Sequence, residues 1–169
     1  MNDFKKPDED EIEHELQEWF SGAHKVVVAG IGNSLRRDDF VGVKIVRDLQ
    51  DRVSSSVYLI ECETVPENFI EPIISFNPSH VLIIDAALFN LTPGSSKLIS
   101  SKQLMKKQVV STHALPLRIF CDYLARATNA KIALLLIQPG DTSFGEGLTR
   151  EVQNTADRTA RLLLRFLRV

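Results

Sequence analysis

Three side chains that can bind a metal or transfer a proton stand next to apolar segments of this sequence. Asp39 comes shortly after the run Val26–Gly30, and Asp85 directly follows the run Val81–Ile84. His113 precedes a predicted helix. Two carboxylates and one imidazole suit a divalent cation such as Ni²⁺ or Zn²⁺ that keeps open coordination positions. Two carboxylates could also share proton transfer in hydrolysis, so these residue types indicate metal binding, hydrolysis or both.

Further polar residues are predicted at the same edge of the fold. They are Asn33, Asp38, Glu61, Cys62, Glu63, Gln138, Asp141 and Glu146. Asp38 would serve as an auxiliary base or cap the next helix. Cys62 is an alternative nucleophile that only His113 could activate. Backbone N–H groups of the turn at residues 30–33 could stabilise an oxyanion.

The other histidines and the second cysteine have structural interpretations. His24 and His80 each precede a predicted strand and would lie at the opposite edge of the sheet, and His14 lies on an acidic helix. Cys121 belongs to an apolar run and is expected in the core. We therefore expect only His113 among the histidines to take part in chemistry.

The segment Gly30-Ile31-Gly32 resembles half of a dinucleotide-binding fingerprint. Leu35 stands where the third glycine is needed for close packing of helix on strand. The sequence contains neither a GxxxxGKS/T phosphate loop nor a GxSxG nucleophile elbow. We therefore expect no organic cofactor.

Short apolar runs alternate with helical patterns along the chain. The predicted strands are Lys25–Gly30, Val57–Ile60, Val81–Ile84, a weaker Ser96–Ser100, and Ile132–Ile137. The predicted helices are Asp8–Phe20, Val41–Leu49, a segment from Thr64 to Asn77, one that follows Pro116, and one that begins near Thr149. This alternation predicts an α/β fold of three αβα layers, with a mostly parallel sheet of about five strands and helices on both faces.

The predicted sheet determines where the polar residues should meet. In open α/β sheets, ligands bind outside the carboxyl ends of the strands. Asp39, Asp85 and His113 all belong to segments at that edge, so we expect them around one cation-sized gap. The stretch 138–147, rich in glycine, is expected to be a flexible loop after the last strand.

Composition narrows the possible functions. The 169 residues carry a formal net charge of −2, with 44% hydrophobic and 25% charged residues. The composition is that of an ordinary globular protein, and a nucleic-acid binder would show a basic excess. The apolar runs are far shorter than the ~18 residues of a membrane helix, and the N-terminus lacks an apolar signal core. We expect a cytoplasmic monomer that binds neither nucleic acid nor membrane.

Several segments, in order along the chain, resemble the motifs of the [NiFe]-hydrogenase maturation endopeptidases. They are Gly30–Gly42, Glu61–Asn68, Leu82–Ala86, Ser111–Pro116, Ile137–Pro139 and Gly147–Val152. Residues 64–68 and 111–116 look most like the branch that processes large subunits of hydrogenase-3-type enzymes. The resemblance divides the chain into an N-terminal acidic helical extension, residues 1–22, and a hydrogenase maturation protease domain, residues 23–169.

The resemblance implies an endopeptidase, formally of aspartic type. It would remove a short C-terminal extension from the precursor of a [NiFe]-hydrogenase large subunit after nickel insertion. Asp39, Asp85 and His113 would be both the metal contacts and the catalytic residues, with Asp39 or Asp85 activating water. The nickel would be carried by the substrate and serve as a recognition element, so the enzyme need not hold a metal of its own.

The sequence departs from the family pattern at a few positions. Phe40 stands where a glycine is usual, and Cys62 and Glu63 occupy positions that usually carry glycines. A bulky residue tolerates a positive φ poorly, so the turn at Phe40 is expected to differ. The acidic N-terminal helix is also additional to the compact domain, and it would cover a face of the fold or dock a partner.

Three alternatives stay open at this stage. The protein could hold its own metal, whose bound water would attack the peptide. A non-catalytic module could use the same residues to chaperone nickel or hold the precursor. Another hydrolase of this architecture could use Asn33, His113 and a carboxylate on an aminoacyl ester, which the net charge of −2 does not favour.

Overall fold

The chain folds around a five-stranded sheet whose spatial order is β2-β1-β3-β5-β4. A computed structural model describes residues 9–106 and 113–168. The strands are β1 (Val26–Ile31), β2 (Val57–Glu63), β3 (His80–Ala86), β4 (Ser96–Ser100) and β5 (Lys131–Ile137). All neighbouring strands are parallel except β4, which pairs antiparallel with β5 at one edge.

Helices connect the strands and pack on the sheet. They are α1 (Glu9–Trp19), α2 (Val41–Leu49), α3 (Ile70–Phe76), α4 (Ser101–Lys106), α5 (Ala114–Ala127) and α6 (Arg150–Leu167), with short 3-10 turns at Arg37–Phe40 and Pro66–Phe69. The predicted start of the first helix at Asp8 lies outside the described residues, as do Ser111 and Thr112 of the family motif. None of the helices in the described part of the chain is long and apolar enough to cross a membrane.

The sheet separates two hydrophobic cores, which confirms the predicted three-layer α/β fold. One core lies against α1, α2 and α6, and the other against α3, α4 and α5. Every residue of β1 and of β3 is buried. Strands that are covered on both faces need apolar side chains in both directions, which explains why these two segments have continuous apolar runs.

Helix α2 packs close to the strand ends because a glycine stands on each side of the contact, Gly30 in β1 and Gly42 in α2. A Cβ atom on Gly30 would lie 2.4 Å from the carbonyl oxygen of Gly42. A Cβ on Gly42 would lie 2.1 Å from the carbonyl oxygen of Ile84. These contacts leave no room for a side chain, so they bring the start of α2 against the carboxyl ends of β1 and β3.

The N-terminal helix α1 covers the neighbouring part of α6. Its residues Ile12 and Leu16 are buried in the core on that face, and the ring of Phe20 stacks on Phe166 with the centroids 5.0 Å apart. Ion pairs flank this contact. Arg158 lies 2.9 Å from Glu9, and Arg165 lies 2.5 Å from Glu13. Of the two roles considered for this helix, the structure favours covering a face of the fold.

The side of helix α5 that faces the core agrees only in part with the helical spacing of its sequence. That spacing predicts one apolar side made of Ile119, Phe120, Tyr123, Leu124 and Ala127. Phe120 and Leu124 do face the core, together with Leu117. Ile119 and Tyr123 are instead 57% and 50% exposed. Two overlapping stripes with helical spacing run along this segment, and the contact with the sheet selects between them.

Candidate active site

Asp85 emerges from the middle of the sheet. It is the penultimate residue of β3 and pairs in register with Leu136 of β5. Its exposed fraction is 0%. A carboxylate at this depth requires partners, because burial of an isolated charge is costly. The position confirms the prediction that Asp85 lies at the carboxyl edge of the sheet.

Asp39 is held by the loop that follows β1. It lies in the 3-10 turn Arg37–Phe40, and the backbone N–H of Asn33 donates to its Oδ2 at 2.9 Å. Gly32 lies against the backbone of Asp39, where a Cβ would come within 2.0 Å of the Asp39 carbonyl oxygen. The loop and the turn are thus packed backbone to backbone, which fixes the direction of the Asp39 carboxylate.

His113 lies between the two carboxylates, at the start of α5. Its Nδ1 is 3.4 Å from Oδ1 of Asp85, and its Nε2 is 3.9 Å from Oδ2 of Asp39. The residues are nearly inaccessible, with exposed fractions of 8% for His113 and 1% for Asp39. The structure therefore brings together the three residues chosen from the sequence, as predicted. Their chemical roles stay predictions.

The imidazole presents different nitrogens to the two carboxylates. Nδ1 and Nε2 point away from each other, so an ion beside Asp39 would meet only Nε2 in this ring orientation. Within residues 9–106 and 113–168, no three histidine, cysteine or acidic side chains are gathered to hold one metal ion. Asp85 in this arrangement orients the ring through Nδ1, as carboxylates behind metal-binding histidines commonly do.

The carboxylates raise the pKa of His113 above its usual 6.5. Hydrogen bonding to Asp85 is the largest cause, and the negative charges of Asp85 and Asp39 act in the same direction. Burial and the positive charge of Arg36 oppose them. The site of the metal-free protein therefore favours an imidazolium between two acids.

The raised pKa predicts that His113 stabilises the fold at low pH. Since the folded-state pKa exceeds the unfolded value of 6.5, this stabilisation is complete below pH 6.5 and is lost as pH rises through the folded-state pKa. We expect the difference in unfolding free energy between wild type and His113→Gln to shrink as pH rises above 6.5 in urea titrations. A difference that grows with pH would contradict the assignment. NMR titration should also show a lower His113 pKa in Asp85→Asn.

Asp38, adjacent to Asp39 in sequence, anchors a loop. Its fully buried carboxylate accepts hydrogen bonds from the backbone N–H groups of Gly140 (2.8 Å), Asp141 (3.0 Å) and Thr149 (2.7 Å). The hydroxyl of Thr149 donates a further bond at 2.8 Å. A carboxylate engaged in this way is not available as an auxiliary base, so that interpretation is wrong. The helix whose start it binds is α6, not the adjacent α2.

The loop after β5 is likewise tied to residues before α2. Arg36 donates from Nε to the carbonyl of Thr142 at 3.2 Å, and the backbone N–H of Arg37 donates to the carbonyl of Gly145 at 3.0 Å. The N–H of Gly145 in turn donates to Leu35 at 2.8 Å. The loop was expected to be flexible, but these bonds and those to Asp38 anchor it beside the site.

The turn at residues 30–33 does not offer the oxyanion contacts suggested from the sequence. The N–H of Gly32 donates to the carbonyl of Glu63 at 2.7 Å, and that of Asn33 donates to Asp39. Both groups are used in holding the loop in place. Any oxyanion donor must therefore come from elsewhere in the site or from the substrate complex.

The departures from the family pattern are accommodated without strain at Phe40. Its φ is −76° in the right-handed region, whereas Arg37 has the positive φ of this turn, 43°. Glu63 does adopt a left-handed conformation, with φ 52°. A glycine is the residue best suited to that conformation, which accounts for the glycine that the family usually carries there.

Neither cysteine is placed to react. Cys62 and Cys121 are buried in the core beneath α3 and α5. Burial raises the pKa of each thiol to about 12, and for Cys62 the charge of Glu67 adds to this effect. The thiolate is the nucleophilic form, so Cys62 is unsuited to nucleophilic catalysis at neutral pH.

We expect Cys62→Ala to keep any hydrolytic activity of wild type within about twofold, because a thiol with so high a pKa cannot act as the nucleophile. Folded wild-type protein should also resist alkylation by iodoacetamide at pH 8, and both cysteines should react once the protein is unfolded in urea. Loss of activity in a Cys62→Ala protein with unchanged stability would reverse this conclusion.

The other described histidines lie away from the candidate site. His80 begins β3 at the opposite edge of the sheet, and its ring packs edge-on against Trp19 with the centroids 4.9 Å apart. Burial lowers the pKa of His80. His24 precedes β1 at the same edge, and its backbone N–H donates to Ser79. Their predicted placement at this edge is confirmed.

A family model, two related sequences and a solved structure all resemble this chain, and all are described as hydrogenase maturation proteases. A family model described as hydrogenase maturation protease matches residues 43–166. A protein of Methanocaldococcus jannaschii, provisionally named as a hydrogenase maturation protease, is 34% identical over 151 residues, covering 85% of this chain and 88% of the relative. Hydrogenase 3 maturation protease of Escherichia coli K12 is 26% identical over 131 residues, covering 78% of this chain and 83% of the relative. The crystal structure of the [NiFe] hydrogenase maturation protease HycI from Thermococcus kodakarensis superposes with a TM-score of 0.84 at 33% identity, covering 90% of this chain and 98% of that one.

Proposed function

The chain belongs to the hydrogenase maturation protease family, and we propose that it removes the C-terminal extension from a [NiFe]-hydrogenase large-subunit precursor after nickel insertion. Membership of the family supports a processing peptidase acting on such precursors. The observation that carries the finer proposal is the meeting of Asp39, Asp85 and His113 at the carboxyl edge of the sheet.

We assign the water-activating role to Asp39. Its carboxylate is directed by the N–H of Asn33 and lies beside Nε2 of His113, whereas Asp85 is behind the imidazole with no exposed surface. Asp39 would accept the proton of the water as its oxygen attacks the scissile carbonyl. Because nickel on Nε2 would displace the proton of that nitrogen, Asp39 would also pass the proton that it took from water to the departing amine. Hydrolysis by paired acids and water is what an aspartic-type classification describes.

The nickel in this proposal is part of the substrate. Nε2 of His113 and the Asp39 carboxylate face one another across 3.9 Å, and both are suitable donors for Ni²⁺. Binding of the precursor's nickel there would place the scissile peptide next to Asp39, and positioning of this kind can lower a barrier by several kcal/mol. Direct contact of the ion with Asp85 as well would require the imidazole to turn.

Exposed apolar side chains at the same edge support a protein substrate. Leu35, Leu88 and Phe144 follow β1, β3 and β5 and are 45%, 50% and 81% exposed. Leu115, two residues after His113, is 68% exposed. Large apolar side chains collected around a polar centre are typical of surfaces that contact another protein. We propose that the folded large subunit contacts this rim while its C-terminal segment enters the site.

The decisive experiment compares nickel-loaded with nickel-free precursor of a hydrogenase-3-type large subunit. We expect mass spectrometry to show loss of the C-terminal extension only from the nickel-loaded form. Binding without loss of mass would indicate the non-catalytic chaperone module instead. Equal cleavage of both forms would leave a peptidase but contradict the nickel checkpoint.

The same preparation tests the remaining parts of the proposal. Protein purified without added metal should contain far less than one equivalent of Zn²⁺ or Ni²⁺ if the metal comes with the substrate. Stoichiometric tight metal would instead favour an enzyme that holds its own ion. We also propose a cytoplasmic monomer, and light scattering of the purified chain should give the mass of a single 19.0 kDa chain.

A further inference from the structure

A pocket lies between α1 and α6, and the segment 94–96 at the start of β4 closes its third side. Its volume is about 270 Å³. Asp39, Asp85 and His113 do not line it, so it is separate from the candidate active site. Ligand pockets usually have volumes of about 300–1,000 Å³, so a pocket of this size suits a small molecule.

Helix α1 forms one wall of this pocket. It contributes Glu9, Ile12 and Glu13, and the facing wall comes from α6. The helix belongs to the N-terminal extension, so the compact domain alone would lack an enclosed pocket at this position. Covering a face of the fold thus gives the extension a second consequence, which is a closed space over α6.

The wall formed by α6 is rich in arginine. Arg158, Arg161 and Arg165 are three and four residues apart, which places them on one side of the helix. Arg158 pairs with Glu9, and Arg165 pairs with Glu13. Arg161 has no acidic partner among the described residues. The described side chains around the pocket therefore leave one positive charge without a counter-charge.

The same wall contains a threonine whose hydroxyl is unused. Thr159 lines the pocket and is 8% exposed. Within the described part of the chain its hydroxyl makes no hydrogen bond, whereas the hydroxyl of Thr155 donates to the carbonyl of Gly94 at 2.7 Å. Polar groups of buried side chains normally have a partner. Thr159 is therefore, with Arg161, a group that a polar ligand would satisfy.

From this arrangement we infer that the pocket binds a small organic acid, whose carboxylate pairs with Arg161 and accepts a hydrogen bond from Thr159. A guanidinium binds a carboxylate through two parallel hydrogen bonds, which makes arginine well suited to this role. Ile12 and Leu162 line the same pocket and offer apolar surface to the carbon part of the ligand. The site adds a ligand to the proposed function and does not depend on the hydrogenase precursor.

The charges around the pocket favour a carboxylate over a phosphate. One uncompensated positive charge matches a single negative charge. A doubly charged phosphate would also be repelled by Glu9 and Glu13, which keep Arg158 and Arg165 occupied. We therefore expect the pocket to distinguish the two kinds of anion.

The test titrates the full chain at pH 8 with three probes of similar size. Benzoate carries one carboxylate, benzyl alcohol carries no charge, and phenyl phosphate is mostly doubly charged at this pH. Benzoate should shift the NMR signals of the Arg161 Nε–H and the Thr159 backbone N–H in a saturable way, with a Kd of about 1 mM or below. Both other probes should bind at least about fivefold more weakly.

Two variants and a control test the assigned residues. Arg161→Gln should raise the Kd for benzoate at least about fivefold, and Thr159→Val, which keeps the shape of the side chain, should raise it about threefold. The control is Arg126→Gln on α5, which packs on the other face of the sheet and carries this arginine exposed. It should keep the wild-type Kd, and thermal unfolding should confirm that all variants are folded.

Three results would overturn the inference. The first is the absence of saturable binding when benzoate is raised to about ten times the expected Kd. The second is benzyl alcohol or phenyl phosphate binding as tightly as benzoate. The third is a wild-type Kd for benzoate in Arg161→Gln. None of these measurements uses the precursor, so their failure is distinguishable from failure of the proposed function.

Discussion

Asp39→Asn should cleave the nickel-loaded precursor at least about 100-fold more slowly than wild type, because a positioned general base typically contributes factors of about 10² to 10⁴. The substitution keeps the shape of the side chain and an oxygen that can accept the N–H of Asn33. It removes the negative charge and the basicity needed to take a proton from water. Initial rates of loss of the C-terminal extension, followed by mass spectrometry, measure the effect.

The matched control for this prediction is Asp48→Asn on α2. Asp48 is an aspartate outside the site whose side chain is 28% exposed, and it pairs with Lys44 at 2.6 Å. We expect its cleavage rate to stay within about twofold of wild type, since an ion pair of this kind contributes roughly 1 kcal/mol or less to stability and nothing to the reaction. Wild-type cleavage by Asp39→Asn would refute the assignment of Asp39 as base. His113→Ala should be similarly inactive.

Asp38→Ala should lower the free energy of unfolding by about 3 kcal/mol or more, the largest stability effect that we expect from a single substitution here. The change removes the acceptor of four hydrogen bonds, from Gly140, Asp141 and both the N–H and hydroxyl of Thr149. Donors that lose a buried charged acceptor keep the cost of their desolvation. Urea titration, with the slope checked for two-state behaviour, measures the loss.

Asp141→Ala is the control for the loop. Asp141 lies in the same loop, but its carboxylate is exposed, contacting Arg37 at 3.6 Å and Ser143 at 2.6 Å. Its removal should leave the urea midpoint close to that of wild type, because an exposed carboxylate contributes little to stability. An Asp38→Ala protein with the wild-type urea midpoint would show that the loop is not held through this carboxylate. Asp38→Ala should also slow cleavage, since the loop it anchors adjoins the site.

Much of the architecture follows from local sequence patterns. The runs that became β1 and β3 are apolar at every position, which indicates strands covered on both faces. The segment Val41–Leu49 has the same bounds as predicted and as observed in α2. The six-residue α4 was not predicted, because so short a segment has too few turns to show a helical period.

Local sequence patterns also made part of the candidate site predictable. Once the strands are recognised, topology places their carboxyl ends at one edge, and Asp85 is then a charge at the end of a buried strand. His113 could be separated from His24 and His80 by its place relative to the strands. The family resemblance pointed to the same three residues, Asp39, Asp85 and His113, independently of this argument.

Sequence patterns could not distinguish the two adjacent aspartates. Asp38 and Asp39 have the same chemistry and neighbouring positions, yet Asp38 binds donors 102 to 111 residues further along the chain. Nothing near Asp38 in the sequence marks those partners. The rotation of α5 likewise depends on its contact with the sheet, since Ile119 and Leu117 are equally apolar.

The sequence alone therefore determined all the strands, the longer helices, their order and the edge at which polar residues collect, because each depends on patterns within a few turns or one strand. Only the tertiary structure decided which of these residues are anchors and which face the site. It placed Asp38 among four hydrogen-bond donors and set His113 between two acids. Such contacts join segments far apart in the chain, and their energies depend on burial and distance that no local pattern contains.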